Sequence, residues 1–226
     1  MKALRTLVVA AALATVPLTP LPAGAADQAV KPTVTRAKAA KLAKAAVLTP
    51  KDFPGFRAQR DRVRPGDDAD NTAFYACLRA QEPTYRAIDA GFTFTKGALD
   101  IGTVATVVST ERAARADMKV AAGKRALTCI RRSMASSLRE VGGEVTRLSI
   151  RRVPVRVEGA DVALGLRYDV RASVFGYPVR MRGYSVAVLV GQTQFSVDAA
   201  RYDGRRPELP AVEALAARAA QRVAAL

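Results

Sequence analysis

Few residues in this sequence could do acid–base or nucleophilic chemistry. The chain has 226 residues, no histidine, and only two cysteines, Cys77 and Cys129. Without histidine, Ser-His-Asp triads, Cys-His pairs and most zinc sites are excluded, because each uses an imidazole as base or ligand. There is also no G-x-S-x-G nucleophile turn and no glycine-rich phosphate loop. We therefore expect a protein that is not an enzyme and that has no cofactor or metal.

Carboxylates are the remaining candidates for chemistry. Asp161 and Asp169 lie on one predicted strand, too far apart in sequence to act as paired glycosidase carboxylates unless other segments contribute. Three aspartates within residues 67–70 could bind a cation, but acidic residues are also common at the positive N-terminal end of a helix. We favour the second interpretation, with a helix that begins near Asn71.

The N-terminus is typical of a secretory signal peptide. Lys2 and Arg5 precede an uncharged apolar run over residues 6–16, and residues 23–25 form a small-x-small cleavage site. The run is too short to span a bilayer, for which about 20 apolar residues are needed. We expect cleavage after Ala25 and a secreted or envelope-associated protein without a transmembrane helix or lipid anchor. An uncleaved N-terminal anchor is the alternative.

In an exported chain, Cys77 and Cys129 are expected to form a disulfide bond. Loop-closure entropy predicts a stabilisation of about 4 kcal/mol for their separation of 52 residues. Two free buried thiols are the alternative. A catalytic cysteine is disfavoured because no histidine can serve as its base.

The formal net charge of +16 favours anionic partners. If two predicted strands are neighbours, their arginines form a patch for phosphate or carboxylate groups. The candidate residues for this patch are Arg147, Arg151, Arg152, Arg156, Arg180 and Arg182. Scattered, solvated arginines that reflect compositional bias are the alternative. For an exported protein the expected partners are anionic cell-wall polymers or phospholipid surfaces, and no nucleic acid.

The chain divides into three predicted parts: a signal peptide over residues 1–25, a basic flexible or helical arm over 26–47, and a single domain over 48–226. The arm is either a basic segment for an anionic surface or a solvated tether, and we favour the tether. The domain opens with a hook, LTPKDFPGF at 48–56. Its prolines prevent a helix from running through, and Phe53 and Phe56 flank a Pro-Gly turn where they can plug the core.

Hydrophobic periodicity predicts the elements that follow. A strand region over 91–109 precedes one long helix over 111–140. Four strands come next, and a C-terminal helix begins at Pro210. The predicted strands cover 144–157, with a bulge at 151–152, then 161–172, 177–190 and 193–200. This order predicts an α+β fold: a single antiparallel sheet with helices packed on it, one long central helix and a C-terminal helix.

The hook, Cys77, the Val-rich strand at 104–109 and Cys129 occur in the same order in a known family. Over residues 48–226 the chain resembles actinobacterial exported proteins related to the extracellular sensor domain of the mycobacterial receptor kinase PknH. The resemblance implies a sheet-and-helix domain with a cleft and a role in ligand sensing, and it supplies no catalytic residue. The chain departs from the kinase in having no kinase domain, no spanning helix and one cysteine pair where that sensor domain has two disulfides.

Small residues at 121–126 leave room for a small or apolar ligand between the sheet and the long helix. The aromatic residues Phe92, Phe94, Tyr168 and Tyr184 are candidates to line this cleft, and the alternative is that they fill the core. The leading hypothesis is an exported, non-enzymatic ligand-binding or sensing protein of the cell envelope. The alternative is an electrostatic binder of anionic envelope polymers or lipid head groups through the arginine-rich surface.

Overall fold

A computed structural model describes residues 34–61 and 67–226, without the side chains of 67–70. The predicted signal peptide lies outside the described residues, as do the carboxylate groups of the acidic run. The helices of the described part are α1 (Arg36–Ala46), α2 (Asp67–Leu78), α3 (Glu111–Ala121), α4 (Lys124–Glu140) and α5 (Leu209–Ala224). Its strands are β1 (Arg57–Arg60), β2 (Tyr85–Asp89), β3 (Phe92–Lys96), β4 (Leu99–Val108), β5 (Gly143–Val153), β6 (Val162–Val174), β7 (Tyr177–Val190) and β8 (Thr193–Arg201).

In the described part of the chain the strands form one eight-stranded sheet. Its order is β1-β3-β4-β8-β7-β6-β5, with β2 also paired to β4, and every pairing is antiparallel. The predicted α+β fold class is therefore confirmed. β7 lies inside the sheet between β6 and β8, and a turn at Gly191 joins it to β8.

Helices cover the two faces of the sheet as two separate layers. On one face, α1 and α5 pack against β4, β7 and β8 in a core that includes Val186, Val188 and Val197. On the other face, α3 and α4 pack through Met118 and Leu138, and α2 packs on α4. Alternation along each strand sends successive side chains to different layers.

The one long helix predicted over 111–140 is wrong, because the chain forms α3 and α4 with a break at Ala122–Gly123. Gly123 has extended backbone angles and is the N-cap residue of α4. Glycine is a poor helix former, and the carbonyls at the end of α3 need new donors. Arg152 supplies them: its Nη2 donates to the carbonyls of Ala121 at 3.2 Å and Gly123 at 2.7 Å.

Other element boundaries also differ from the sequence-based expectation. The strand predicted over 144–157 ends at Val153, and its irregularity lies between Val145 and Arg147 and not at 151–152. Pro154 has no N–H to donate to the sheet, so β5 ends before it. The shift in apolar alternation that suggested a bulge at 151–152 therefore marks the end of the strand. The helix expected to begin near Asn71 already includes Asp67.

The predicted arm contains a helix that belongs to the core of the domain. Thr35 caps α1 by accepting a hydrogen bond from the N–H of Lys38 at 3.3 Å. Ala39, Ala43 and Ala46 are buried in the main core. Their small side chains allow close packing although the helix has few large apolar residues. α1 therefore packs in the same core as the sheet and α5.

The hook ties α1 to α5 and closes one end of this core. Phe53 is 7% exposed, and its ring centroid lies 4.2 Å from that of Phe94. Asp52 accepts a hydrogen bond from the N–H of Thr49 at 2.7 Å and forms an ion pair with Arg222 of α5 at 3.0 Å. The predicted structural role of the hook, a plug at the domain entry, agrees with these contacts.

A disulfide bond joins Cys77 of α2 to Cys129 of α4, which confirms the predicted pairing. Among the described residues, none of the helices has the length and apolar character needed to cross a membrane.

Candidate ligand-binding cavity

A cavity of about 480 Å³ lies between the sheet and the helices α2, α3 and α4. This volume is within the range of small-molecule sites, roughly 300–1,000 Å³. Much of the wall is apolar, and it includes Phe74, Leu78, Met118, Ile130, Met134 and Leu166. Of the small residues at 121–126, Ala121 at the end of α3 also lines it.

One face of β8 forms a polar row on the cavity floor. Gln194, Ser196 and Asp198 all line the cavity, while the alternate residues Val197 and Ala199 pack in the core on the other face of the sheet. Polar side chains on the buried face of a central strand are costly unless they are hydrogen-bonded or solvated. The row gives the cavity a floor of polar groups, in which Gln194 and Ser196 each donate to an aspartate. Sequence reasoning missed it, although the alternation in TQFSVD was a usable signal.

Asp198 is the polar group at one end of this row. Burial raises the pKa of its carboxyl, and hydrogen bonds from Ser185 and Ser196 partly oppose that rise. The hydroxyl of Ser196 donates to Asp198 Oδ2 at 2.7 Å. Asp198 also lines the cavity, so its carboxyl can accept a hydrogen bond from a bound molecule.

Asp117 forms a second polar centre at the other end of the row. The hydroxyl of Tyr75 donates to Asp117 Oδ1 at 2.7 Å, and Gln194 Nε2 donates to Asp117 Oδ2 at 3.0 Å. Burial raises the pKa of Asp117, and these two donors partly oppose the effect. None of the ion pairs in the described part of the chain includes Asp117 or Asp198.

The end of β5 and the segment after it form one rim of the cavity, with Arg152 in the strand and Arg156 beyond it. Arg152 is held by the carbonyls at the α3–α4 break. The backbone N–H of Arg156 donates to Glu213 Oε1 at 2.7 Å, while its side chain remains exposed. The cavity thus combines an apolar body, a floor with acceptors and a basic rim.

Of the four aromatic candidates, Tyr168 lines the cavity. Its hydroxyl donates to the carbonyl of Ala199 at 3.2 Å. To do so, the ring crosses Gly183, where an added Cβ would lie 2.3 Å from the Tyr168 hydroxyl. No residue with a side chain fits at Gly183 without moving this ring.

Phe92, Phe94 and Tyr184 do not line this cavity, and for Phe92 and Phe94 the structure agrees with the alternative that they fill the core. Phe94 is fully buried against Phe53 in the core under α1 and α5, and Phe92 packs against that core. Tyr184 also lies on this other face, where the Arg206 guanidinium is 5.6 Å from its ring centroid. The strand pairings place these three side chains opposite to Tyr168, a fact that no local pattern reveals.

The other predicted arginines, Arg147, Arg151, Arg180 and Arg182, share the sheet face opposite the cavity. Their strands β5 and β7 are not adjacent but flank β6, which adds Arg167 and Arg171. We call these six residues the arginine face. Arg171 lies between Arg147 and Arg180, and Arg151 pairs with Arg167. The patch predicted from the sequence did not include Arg167 and Arg171.

No protein-family model matches the chain, and no curated protein matches it. Solved structures do match it, and two of them are described here. The extracellular domain of PknH from Mycobacterium tuberculosis is 12% identical with a TM-score of 0.44, over 81% of this chain and 95% of that chain. An uncharacterized protein of Mycobacterium smegmatis, the Rv0999 ortholog, is 12% identical with a TM-score of 0.40, over 82% and 97%. The predicted resemblance to the PknH extracellular domain is confirmed as a likeness at low identity.

Proposed function

We propose that this chain is a non-enzymatic binding or sensing protein of the cell envelope, exported by its N-terminal signal, that holds a small and mainly apolar ligand. The observation that carries the proposal is the cavity itself. A central strand turns Gln194, Ser196 and Asp198 toward it, where a fully packed core would place apolar side chains.

The lining favours an amphipathic ligand. Met118 and Met134 can adapt to irregular apolar shapes. Asp198 and Ser196 offer acceptors at the floor, so the bound molecule is expected to carry at least one hydrogen-bond donor. A few placed polar groups in an apolar site are typical of small-molecule recognition.

The remaining carboxylates support a non-enzymatic role. Asp161 forms an ion pair with Arg115 at 3.3 Å, and Asp169 forms one with Arg182 at 2.7 Å. Asp169 lies on the arginine face, away from the cavity. Each is thus engaged in a local contact, and the pair does not flank a common site.

A neutral apolar dye, N-phenyl-1-naphthylamine, tests the cavity. Ala187→Phe places a ring in the cavity wall, and Ala211→Phe makes the same change at an exposed position of α5. We expect dye affinity to fall at least tenfold in Ala187→Phe only, with both variants folded by circular dichroism. Equal affinity in the parent and a folded Ala187→Phe would refute the proposal. If dye affinity falls as expected, native mass spectrometry of the protein from its own host would identify any ligand that copurifies.

The arginine face favours a second candidate function, electrostatic binding of anionic envelope polymers or lipid head groups. Arginines directly opposite one another on neighbouring strands repel, and an anion between them relieves that repulsion. Retention on immobilised dextran sulfate measures this binding without a membrane. Arg171→Gln/Arg180→Gln should elute at lower salt than Arg112→Gln/Arg132→Gln, which removes the same charge from exposed sites on the helices of the other layer. Equal elution would refute the role of the face.

A further inference from the structure

The hairpin between β6 and β7 has an exposed aromatic tip. Phe175 is 70% exposed and Tyr177 is 75% exposed. Among the described residues, Leu226 is the only other large apolar residue that is mostly exposed, at 58%. Phe175 and Gly176 both have positive φ, at 51° and 79°, so a tight two-residue turn presents the aromatic residues at the end of the sheet.

A row of arginines crosses three strands just behind this tip. Arg147 of β5 lies opposite Arg171 of β6, which lies opposite Arg180 of β7. Neighbouring strands are about 4.8 Å apart, and the four residues from Arg171 to Phe175 span about 13 Å. These three arginines form no ion pair within the described part of the chain.

Acidic residues near the row do not cancel its charge. Asp169 pairs with Arg182 at 2.7 Å and with Arg206 at 3.8 Å, one step further from the tip. Glu144 lies opposite Ser173, at the edge of the sheet. Arg151 and Arg167 add a further like-charge pair to the same face. The face therefore remains strongly positive beside an apolar tip.

We propose that the partner of the arginine face is an anionic phospholipid membrane, with the β6–β7 tip inserted in the interface and the arginine row on the lipid phosphates. This inference rests on the second candidate function and names its partner. The exposed Phe175 and Tyr177 favour a membrane over a soluble polymer as the partner, because aromatic side chains partition into the membrane interface. The long arginine side chains reach the phosphates from behind the tip.

A single tryptophan can report the insertion, since the chain contains none. Full-length Tyr177→Trp is mixed with vesicles of phosphatidylcholine containing about 30% phosphatidylglycerol. We expect cosedimentation and a blue shift of tryptophan emission, both reversed by high salt. Vesicles of phosphatidylcholine alone should give neither effect. Tyr85→Trp, at a half-buried tyrosine of β2 remote from the tip, should show no lipid-dependent shift.

Matched charge variants test the row. Each arginine near an anionic surface contributes about fivefold in partitioning, so Arg171→Gln/Arg180→Gln should bind about 30-fold more weakly. Arg112→Gln/Arg132→Gln should bind as the parent does. All variants share the same N-terminal residues, so their differences report this surface. Removing two like charges relieves repulsion, so the row variant is expected to fold.

Phe175→Ser/Tyr177→Ser should reduce vesicle binding at least tenfold and leave dextran sulfate retention unchanged. Vesicle binding without a blue shift, or unaffected by this double substitution, would overturn the inference and leave the second candidate function in place. Retention on dextran sulfate without vesicle binding would do the same and assign a polymer partner. If the parent protein neither binds the vesicles nor is retained on dextran sulfate, the second candidate function is refuted together with the inference.

Discussion

Replacing Phe53 with alanine is expected to lower the free energy of unfolding by about 3 kcal/mol. The ring is 7% exposed, and its centroid lies 4.2 Å from that of Phe94 and 5.2 Å from that of Phe56. Phe→Ala at buried sites costs about 3–5 kcal/mol through lost transfer free energy and the cavity left behind. The lower value applies because Phe56 is half-buried on an exposed turn and can move toward the space.

Thermal denaturation followed by circular dichroism measures this effect. For a domain of this size, 1 kcal/mol shifts the melting temperature by roughly 2–4 °C, so Phe53→Ala should melt about 6–12 °C below the parent. Phe175→Ala is the matched control, because it removes the same atoms from a side chain that is 70% exposed. It should change stability by less than about 0.5 kcal/mol.

Phe53→Leu separates packing from any special role of the aromatic ring. It retains much of the buried volume and should cost clearly less than alanine. If Phe53→Ala melts within 2 °C of the parent, the hook does not close the core, and our account of the domain entry is refuted.

Three other changes test the hook charge, the cavity floor and the disulfide. Burial alone would raise the pKa of Asp52, but hydrogen bonds from Thr49 and Arg222 outweigh burial and hold it below its usual value. Asp52→Asn should therefore be less stable than the parent in urea at pH 7, with the difference shrinking as pH falls below about 4; a constant difference would contradict this. The pKa of Asp198 is raised by burial, so its stabilising contribution is present at acid pH and lost as pH rises above about 4. Asp198→Asn should thus raise the melting temperature relative to the parent more at pH 8 than at pH 4; equal changes would refute this sign. Replacing Cys77 and Cys129 with alanine should cost about 4 kcal/mol in urea denaturation, and an unchanged midpoint would show that the bond does not stabilise the fold.

Much of the secondary structure was predictable because its signals are local. The alternation in β6, the turn at Gly191 and the Thr35 cap each depend on residues close in sequence. Even the break between α3 and α4 had a local signal in Gly123. The carbonyls at this break, those of Ala121 and Gly123, accept hydrogen bonds from Arg152, which comes from β5.

The candidate site was only partly predictable. Ala121, one of the small residues at 121–126, lines the cavity together with Tyr168, and the sequence offered both as candidates. The polar face of β8 was readable but unused, since Gln194, Ser196 and Asp198 mark a cavity only once β8 is known to be a central strand.

The sequence by itself determined which side chains share a face within each strand and where most chain reversals occur, because backbone geometry imposes these over a few residues. Tertiary structure alone decided that Phe94 and Tyr168 belong to opposite layers, and that Arg147, Arg171 and Arg180 form one row. Both outcomes depend on strand order and register. Those follow from the packing of distant segments, and no pattern within a single segment contains them.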